Sequence, residues 1–153
     1  MATSVSDIKT KYPLPVYYYS VKIDGLDPIA FKEVSGLTIG YEDPITYKDG
    51  LSHKEGAKYM PGQRTPVDIT MKKGIVRGDN KLFDWINTIN LNTVVKKDVT
   101  ISLMDESDAP VVSWKVTNAF PKKMEAPTFD ATSNDVAIES LDLRADGLSI
   151  EYH

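Results

Sequence analysis

The chain contains no cysteine and very little histidine. Its 153 residues include only two histidines, His53 and His153. Without cysteine there can be no disulfide framework and no thiol catalysis, and zinc sites normally draw on cysteine and histidine. A Ser-His-acid triad would have to use His53, which lies in a polar, glycine-flanked stretch. We therefore expect no catalytic, metal-binding or cofactor-binding residues.

Long apolar runs and an excess of positive charge are also missing. No apolar stretch approaches the ~18–20 residues that span a bilayer, and residues 1–7 have no charged or apolar region typical of a secretory signal. We expect cytoplasmic synthesis and no membrane insertion of the free subunit. The net charge is −4, whereas proteins that grip nucleic acid normally carry a basic face. Phosphate-loop, nucleophile-elbow and zinc-protease motifs do not occur.

Short segments with alternating apolar residues dominate the rest of the chain. Alternation with a period of two predicts half-buried β-strands. The segments lie at residues 16–23, 31–41, 67–72, 99–103, 112–116, 136–143 and 148–152. An acidic turn at 105–110 joins two of them and is best interpreted as a polar hairpin tip. The pattern predicts one mainly β domain over residues 1–153, an antiparallel β-sandwich or barrel with a leader at 1–15.

One segment has helical periodicity. Gly78-Asp79 opens a predicted helix over residues 79–90, with Asp79 as a possible cap. Its apolar residues recur with the spacing of one helical face, so we expect that face to pack on the core. They are Leu82, Trp85, Ile86 and Ile89.

The segment from 43 to 62 has too few large apolar residues to bury itself. It contains three glycines, two prolines and many charges, and Asp49-Gly50 is a hairpin-turn signal. A long irregular segment inside a small domain is usually functional. We interpret it as a projecting arm that serves assembly, with aromatic and Met side chains as contacts, as in other interface cores. The candidate anchors are Tyr47, Leu51, Tyr59 and Met60.

Six short motifs, in order, resemble those of tail tube proteins of phage-tail-like contractile injection systems. Phe31 to Leu37 (FKEVSGL) resembles the signature F-x-E-V-S-G-L. Tyr47-Lys48-Asp49-Gly50 is similar to Y-R-[DE]-G. Met60-Pro61-Gly62 followed by ITMKKG at 69–74 is similar to L-P-G followed by L-T-L-K-R-G. The other three are LFDW at 82–85, WKVTNAFP at 114–121 and NDVAIE at 134–139. Lys48 and Lys73 stand where the family has Arg, so a bidentate contact there is not carried over.

The resemblance implies a structural role and no enzymatic activity. In that family six subunits form a ring, and rings stack into a hollow tube inside a contractile sheath. Contraction drives the tube through a target envelope with cargo in its lumen. The implied partners are further copies of the chain, the sheath, baseplate and tube-cap proteins, and cargo, in an extracellular particle. The resemblance adds Lys48, Asp49 and Gly50 to the candidate inter-subunit contacts.

Two alternative functions remain open. The resemblance also extends to the tail tube of a contractile phage virion, which would conduct DNA instead of protein. A small-molecule-binding barrel of lipocalin type would need a closed barrel with an apolar interior, and the polar arm has no role in it.

Overall fold

The computed structural model describes residues 12–90 and 93–153, so most of the predicted leader, residues 1–11, lies outside the described residues. The chain forms nine strands and two short helices in this part. The strands are β1 Tyr19–Ile23, β2 Glu33–Ser35, β3 Ile45–Tyr47, β4 Lys58–Met60, β5 Val67–Gly74, β6 Lys97–Met104, β7 Pro110–Glu125, β8 Ile138–Ala145 and β9 Gly147–Tyr152; the helices are α1 Ser52–Glu55 and α2 Lys81–Ile86.

Two antiparallel sheets share the long strand β7. Its first part pairs with β6 and β9, and β1 completes this sheet A in the order β1-β6-β7-β9. Its last part pairs with β8, and β5 and β2 complete sheet B in the order β7-β8-β5-β2. The sheets form a sandwich-like structure that is not closed into a barrel. The β-rich fold class is confirmed, and of its two predicted forms the sandwich is the one observed.

Strand β7 crosses from sheet A to sheet B, and its pairing register shifts at two points along the way. Between Val116 and Ala119 its register with β6 shifts, and Asn118 takes a positive φ of 54°. Asn tolerates this backbone conformation better than most residues. The backbone amide of Asn118 donates to the Asp98 carboxylate at 2.9 Å. The register with β8 shifts again between Pro121 and Lys123. Such bulges bend a strand and re-aim its side chains, so Ala119 and Pro121 both stay buried.

One apolar core lies between the sheets. The inward side chains of β5 alternate with outward polar ones, as the sequence pattern predicts. The members that are almost completely buried include Ile23, Ile69, Met71, Val99, Val116, Leu141 and Leu143. They come from both sheets, so burial of this shared face stabilises the two sheets against each other.

Helix α2 is shorter than predicted. It covers Lys81–Ile86 instead of residues 79–90, and Asn80 occupies the N-cap position without a side-chain cap bond. Leu82 and Trp85 are buried, Ile86 is half-buried, and Ile89 is 36% exposed, so the prediction that Ile89 belongs to the core is wrong. The hydroxyl of Thr88 donates to the Trp85 carbonyl at 2.6 Å, a local bond of the kind that competes with helix continuation.

Gly36 lets the loop after β2 approach β5 closely. Its φ is +89°, and a Cβ atom added there would lie 2.2 Å from the carbonyl oxygen of Asp68. A side chain is therefore excluded both by the backbone conformation and by the space. This explains the glycine within the motif FKEVSGL in structural terms.

Candidate assembly surfaces

The arm predicted at 43–62 is an antiparallel ribbon, and next to its base the Arg64 guanidinium donates to the Leu148 carbonyl of β9 at 2.9 Å. At its base the Thr65 amide donates to the Gly40 carbonyl at 3.0 Å, and the Glu42 amide donates to the Gln63 carbonyl at 2.6 Å. A Cβ atom on Gly62 would lie 2.6 Å from the carbonyl oxygens of Glu42 and Asp43. The ribbon therefore needs glycine at this point, because any side chain would overlap the backbone of the opposite segment.

The arm continues as the strand pair β3–β4 and ends in helix α1. Ile45 pairs with Met60, Thr46 with Tyr59, and Tyr47 with Lys58. Directly paired residues point to the same side of a ribbon. Ile45, Tyr47, Met60 and Lys58 therefore share one face, which we call the arm's apolar face, and Tyr59 lies on the opposite one.

All seven candidate contact residues are exposed within the subunit: Tyr47, Lys48, Asp49, Gly50, Leu51, Tyr59 and Met60. The structure brings them together on the arm but divides the proposed anchors between its two faces. Asp49-Gly50 begins the tip as predicted, though the connection is longer than a two-residue turn. The Asp49 carboxylate accepts from the Leu51 amide at 2.9 Å, and α1 follows. Because a lone two-stranded ribbon is marginally stable, this one gains from further contacts.

Sheet A ends in two open edges. Within the described chain β1 pairs with β6 alone and β9 with β7 alone. The apolar inner face of the sheet extends to the β9 edge without cover: Leu148 is buried, whereas Ile150 is exposed and Tyr152 is 78% exposed. An edge of this kind can accept another strand.

The opposite face of sheet A is polar. The side chains on this face include Ser20, Lys22, Thr100, Ser102, Ser113, Lys115 and Glu151. Ser113, only 3% exposed, shares hydrogen bonds with Ser102 at 2.9 Å and with the imidazole of His153 at 2.8 Å. The hydrogen-bonding capacity of this buried hydroxyl is used by its two neighbours, so Ser113 has a structural role and is not an accessible nucleophile. The other histidine, His53, contacts the Gly50 carbonyl within the arm.

A buried ion cluster joins two of the resemblance motifs. The ammonium of Lys73 is 2.9 Å from the carboxylate of Glu139 and 3.4 Å from that of Asp79, and the lysine is 2% exposed. Burial disfavours the charged amine, but the attraction of Glu139 and Asp79 outweighs burial and raises the pKa of Lys73. Asp79, predicted to cap the helix, faces Lys73 instead, and its second carboxylate oxygen is buried without a hydrogen-bond partner.

The outer face of sheet B carries an exposed charge cluster. Arg144 binds both oxygens of the Asp68 carboxylate, at 2.7 and 3.1 Å, and Lys122 approaches it at 3.4 Å. The Arg144 hydrogen bond, supported by Lys122, lowers the pKa of Asp68. The cluster links β5, β7 and β8 across the sheet.

An apolar groove of about 430 Å³ lies between α2 and the end of β7. Its apolar lining is Ile75, Phe83, Ile86, Met124 and Phe129, and its charged members are Glu125 and Glu139. Phe129 is 85% exposed, and Ile75 and Phe83 are also exposed. No local sequence pattern predicts this groove, because its residues come from four separate segments.

Within residues 12–90 and 93–153, no group of three or more His, Cys, Asp or Glu residues could hold a metal ion. No helix in this part of the chain is long and apolar enough to cross a membrane.

The fold and these surfaces can be compared with known proteins. The profile of the T4-like virus tail tube protein gp19 family matches residues 15–149. In the sheath-tube complex of PVC, an extracellular contractile injection system in its extended state, one chain is 44% identical with a TM-score of 0.91, over 99% of this chain and 100% of that one. In the tube-terminating cap of the anti-feeding prophage AFP, one chain is 42% identical with a TM-score of 0.87, over the whole of both chains. No curated protein matches.

The family match and the similarity to the PVC and AFP chains therefore define a structural tube protein. The chain belongs to the T4-like tail tube protein family, as the motifs suggest. Hcp1 from Flavobacterium johnsoniae, at 20% identity and a TM-score of 0.57 over 88% of this chain and 95% of that one, shares the fold.

Proposed function

We propose that this chain is the repeating subunit of the rigid inner tube of an extracellular contractile injection machine. Six copies form a ring, rings stack into a hollow tube, and contraction of a surrounding sheath drives the tube through a target envelope with cargo in the lumen. The predicted partners are further copies, the sheath, and baseplate and cap proteins. The likeness to tube chains of PVC and AFP supports the injection particle over a DNA-conducting phage tail.

The observation that carries this proposal is the pair of open edges of sheet A. Successive strands in the order β1-β6-β7-β9 are antiparallel, so β1 and β9 run in opposite directions. The β9 edge of one copy can therefore accept the β1 edge of the next and continue an antiparallel sheet. Such a head-to-tail contact closes into a ring when the rotation between copies is right.

Ring closure in this manner gives the two faces of sheet A different surroundings. The inner face is covered by sheet B and the exposed Ile150 and Tyr152 gain a neighbour at the edge. The polar face with Ser20, Lys22 and Thr100 then faces the axis and lines the lumen. A polar wall suits passage of hydrated cargo, because it offers no extended apolar surface on which a cargo would adhere.

The test is assembly of the purified protein. Sedimentation and negative-stain microscopy over a range of concentrations should show rings and, at high concentration or on a baseplate, tubes. A strict monomer at every concentration would contradict the proposal.

Particles purified from the native source should contain protein cargo, whereas packaged DNA would favour the phage alternative.

A variant separates assembly from folding. We expect that replacing residues 46–57 by a short Gly-Ser turn gives a subunit that melts close to wild type but no longer forms tubes, because none of these residues is buried in the core. Unfolding of the variant, or normal assembly, would show that the arm does not serve assembly.

A further inference from the structure

The arm and the groove lie at opposite ends of strand β5. The arm returns to the sandwich just before Val67, which pairs with Ala145, and the strand ends at Gly74, which pairs with Ile138. Ile75 and Glu139, next to this second end, line the groove. The eight residues of β5 separate the two surfaces by about 23 Å at the usual rise of a strand.

Both surfaces expose apolar side chains, and the charges beside them are of opposite sign. The arm projects and the groove is concave. The arm's apolar face presents Ile45, Tyr47 and Met60, and it ends in the cation Lys58, directly paired with Tyr47. The groove offers exposed Phe83 and Phe129, and both charged residues that line it are acidic.

Of those two acids only Glu125 is free to meet a new cation. Glu139 is largely buried against Lys73 at 2.9 Å. Glu125 is exposed, and its contact within the chain is an exposed pair with Lys123 at 3.4 Å, which is worth little in water. A lysine that enters the groove from another molecule can therefore pair with Glu125.

Resting on the proposed tube function, we propose that the arm's apolar face docks into the α2–β7 groove of a second copy, in the adjacent ring, with Lys58 facing Glu125. Complementary surfaces at opposite ends of one molecule make a heterologous contact, which repeats without closing and so builds a stack. The open edges of sheet A are separate from both surfaces and are left for contacts within a ring. The groove thus sets the stacking of rings, and α2 is an assembly element as well as a cover for the core.

The absence of native cysteine permits a direct test by disulfide capture. Tyr47→Cys with Phe83→Cys on one chain should give a ladder of covalent oligomers on oxidation of assembled tubes, and a ladder needs both sites. The matched control is Thr46→Cys with Phe83→Cys: Thr46 is the next residue but points to the other face of the ribbon, so no ladder is expected. A disulfide needs Cα atoms within about 7 Å and Cβ atoms that point toward each other; the second condition separates Tyr47 from Thr46, whose side chain lies on the opposite face.

Charge exchange tests the polar contact. Lys58→Glu and Glu125→Lys should each raise the concentration needed for tubes by about tenfold, and the double variant should restore it, as for a coupled charge pair across an interface.

Tubes that form normally but give no ladder with Tyr47→Cys and Phe83→Cys, or an equal ladder with Thr46→Cys, would overturn the docking proposal and leave the tube function intact. So would Glu125→Lys tubes that assemble normally but no longer bind sheath, which would assign the groove to the sheath. A wild-type protein that forms no rings or tubes would overturn both.

Discussion

Replacement of the buried Lys73 should destabilise the subunit strongly. Lys73→Met fills a similar volume but leaves Glu139 and Asp79, whose side chains are 14% and 25% exposed, without their cation. Removal of one partner from a buried ion pair typically costs 3–5 kcal/mol. Because both carboxylates keep some contact with water, we expect about 3 kcal/mol, which is about 6–12 °C in melting temperature for a domain of this size.

Urea unfolding and thermal melting of the unassembled subunit measure this effect. The matched control is Lys72→Met, one residue earlier: the Lys72 side chain is 43% exposed and pairs with exposed Glu33 at 3.6 Å, so the cost should stay below about 1 kcal/mol. Lys73→Met combined with Glu139→Leu should recover much of the loss, because an apolar pair can replace a buried ion pair at little cost. Melting of Lys73→Met within about 2 °C of wild type, or a double variant with simply additive losses, would refute the argument.

The same cluster predicts a pH dependence. The pKa of Lys73 is raised above its ordinary value of 10.5. The folded state therefore holds this proton more tightly than the unfolded state, and the stabilisation is fully present below pH 10.5. It is lost as the pH rises through the raised folded-state pKa. Urea midpoints measured along this alkaline limb should fall more steeply for wild type than for Lys73→Met; equal slopes would contradict the assignment.

Three other perturbations follow from the packing. Trp85→Ala should lower the free energy of unfolding by roughly 3–5 kcal/mol, since the indole is buried and its N–H donates to the Val95 carbonyl at 2.9 Å. Phe83→Ala, on the exposed side of the same helix, should lower it by under about 1 kcal/mol in the same urea titration. Gly36→Ala should lower the melting temperature markedly, because the new methyl group would overlap the neighbouring backbone; a change under 2 °C would show that the loop can move away. The lowered pKa of Asp68 means that its contribution to stability is present above its unfolded-state pKa and is lost as the pH falls through the folded-state value, so Asp68→Asn should flatten the acid limb of unfolding.

The sequence by itself determined the fold class and the family. Alternation in β5 requires that Ile69 and Met71 share a face, because side chains alternate along a strand whatever its partners are. The scarcity of apolar residues between 43 and 62 likewise shows that this segment cannot be part of the core. Six motifs in order then identify the family, since each is a local pattern that needs no knowledge of contacts.

Tertiary structure decided what depends on distant neighbours. The sequence pattern supported a strand at 112–116, but β7 continues to Glu125 because two bulges carry it from β6 and β9 to β8. Ile89 continues the helical period, yet it lies beyond the helix end and is exposed. Asp79 forms an ion pair with Lys73 instead of a cap because folding brings β5 beside the start of α2. Chain periodicity contains local geometry only, whereas these outcomes depend on which segments meet, and so do the open edges and the groove on which assembly depends.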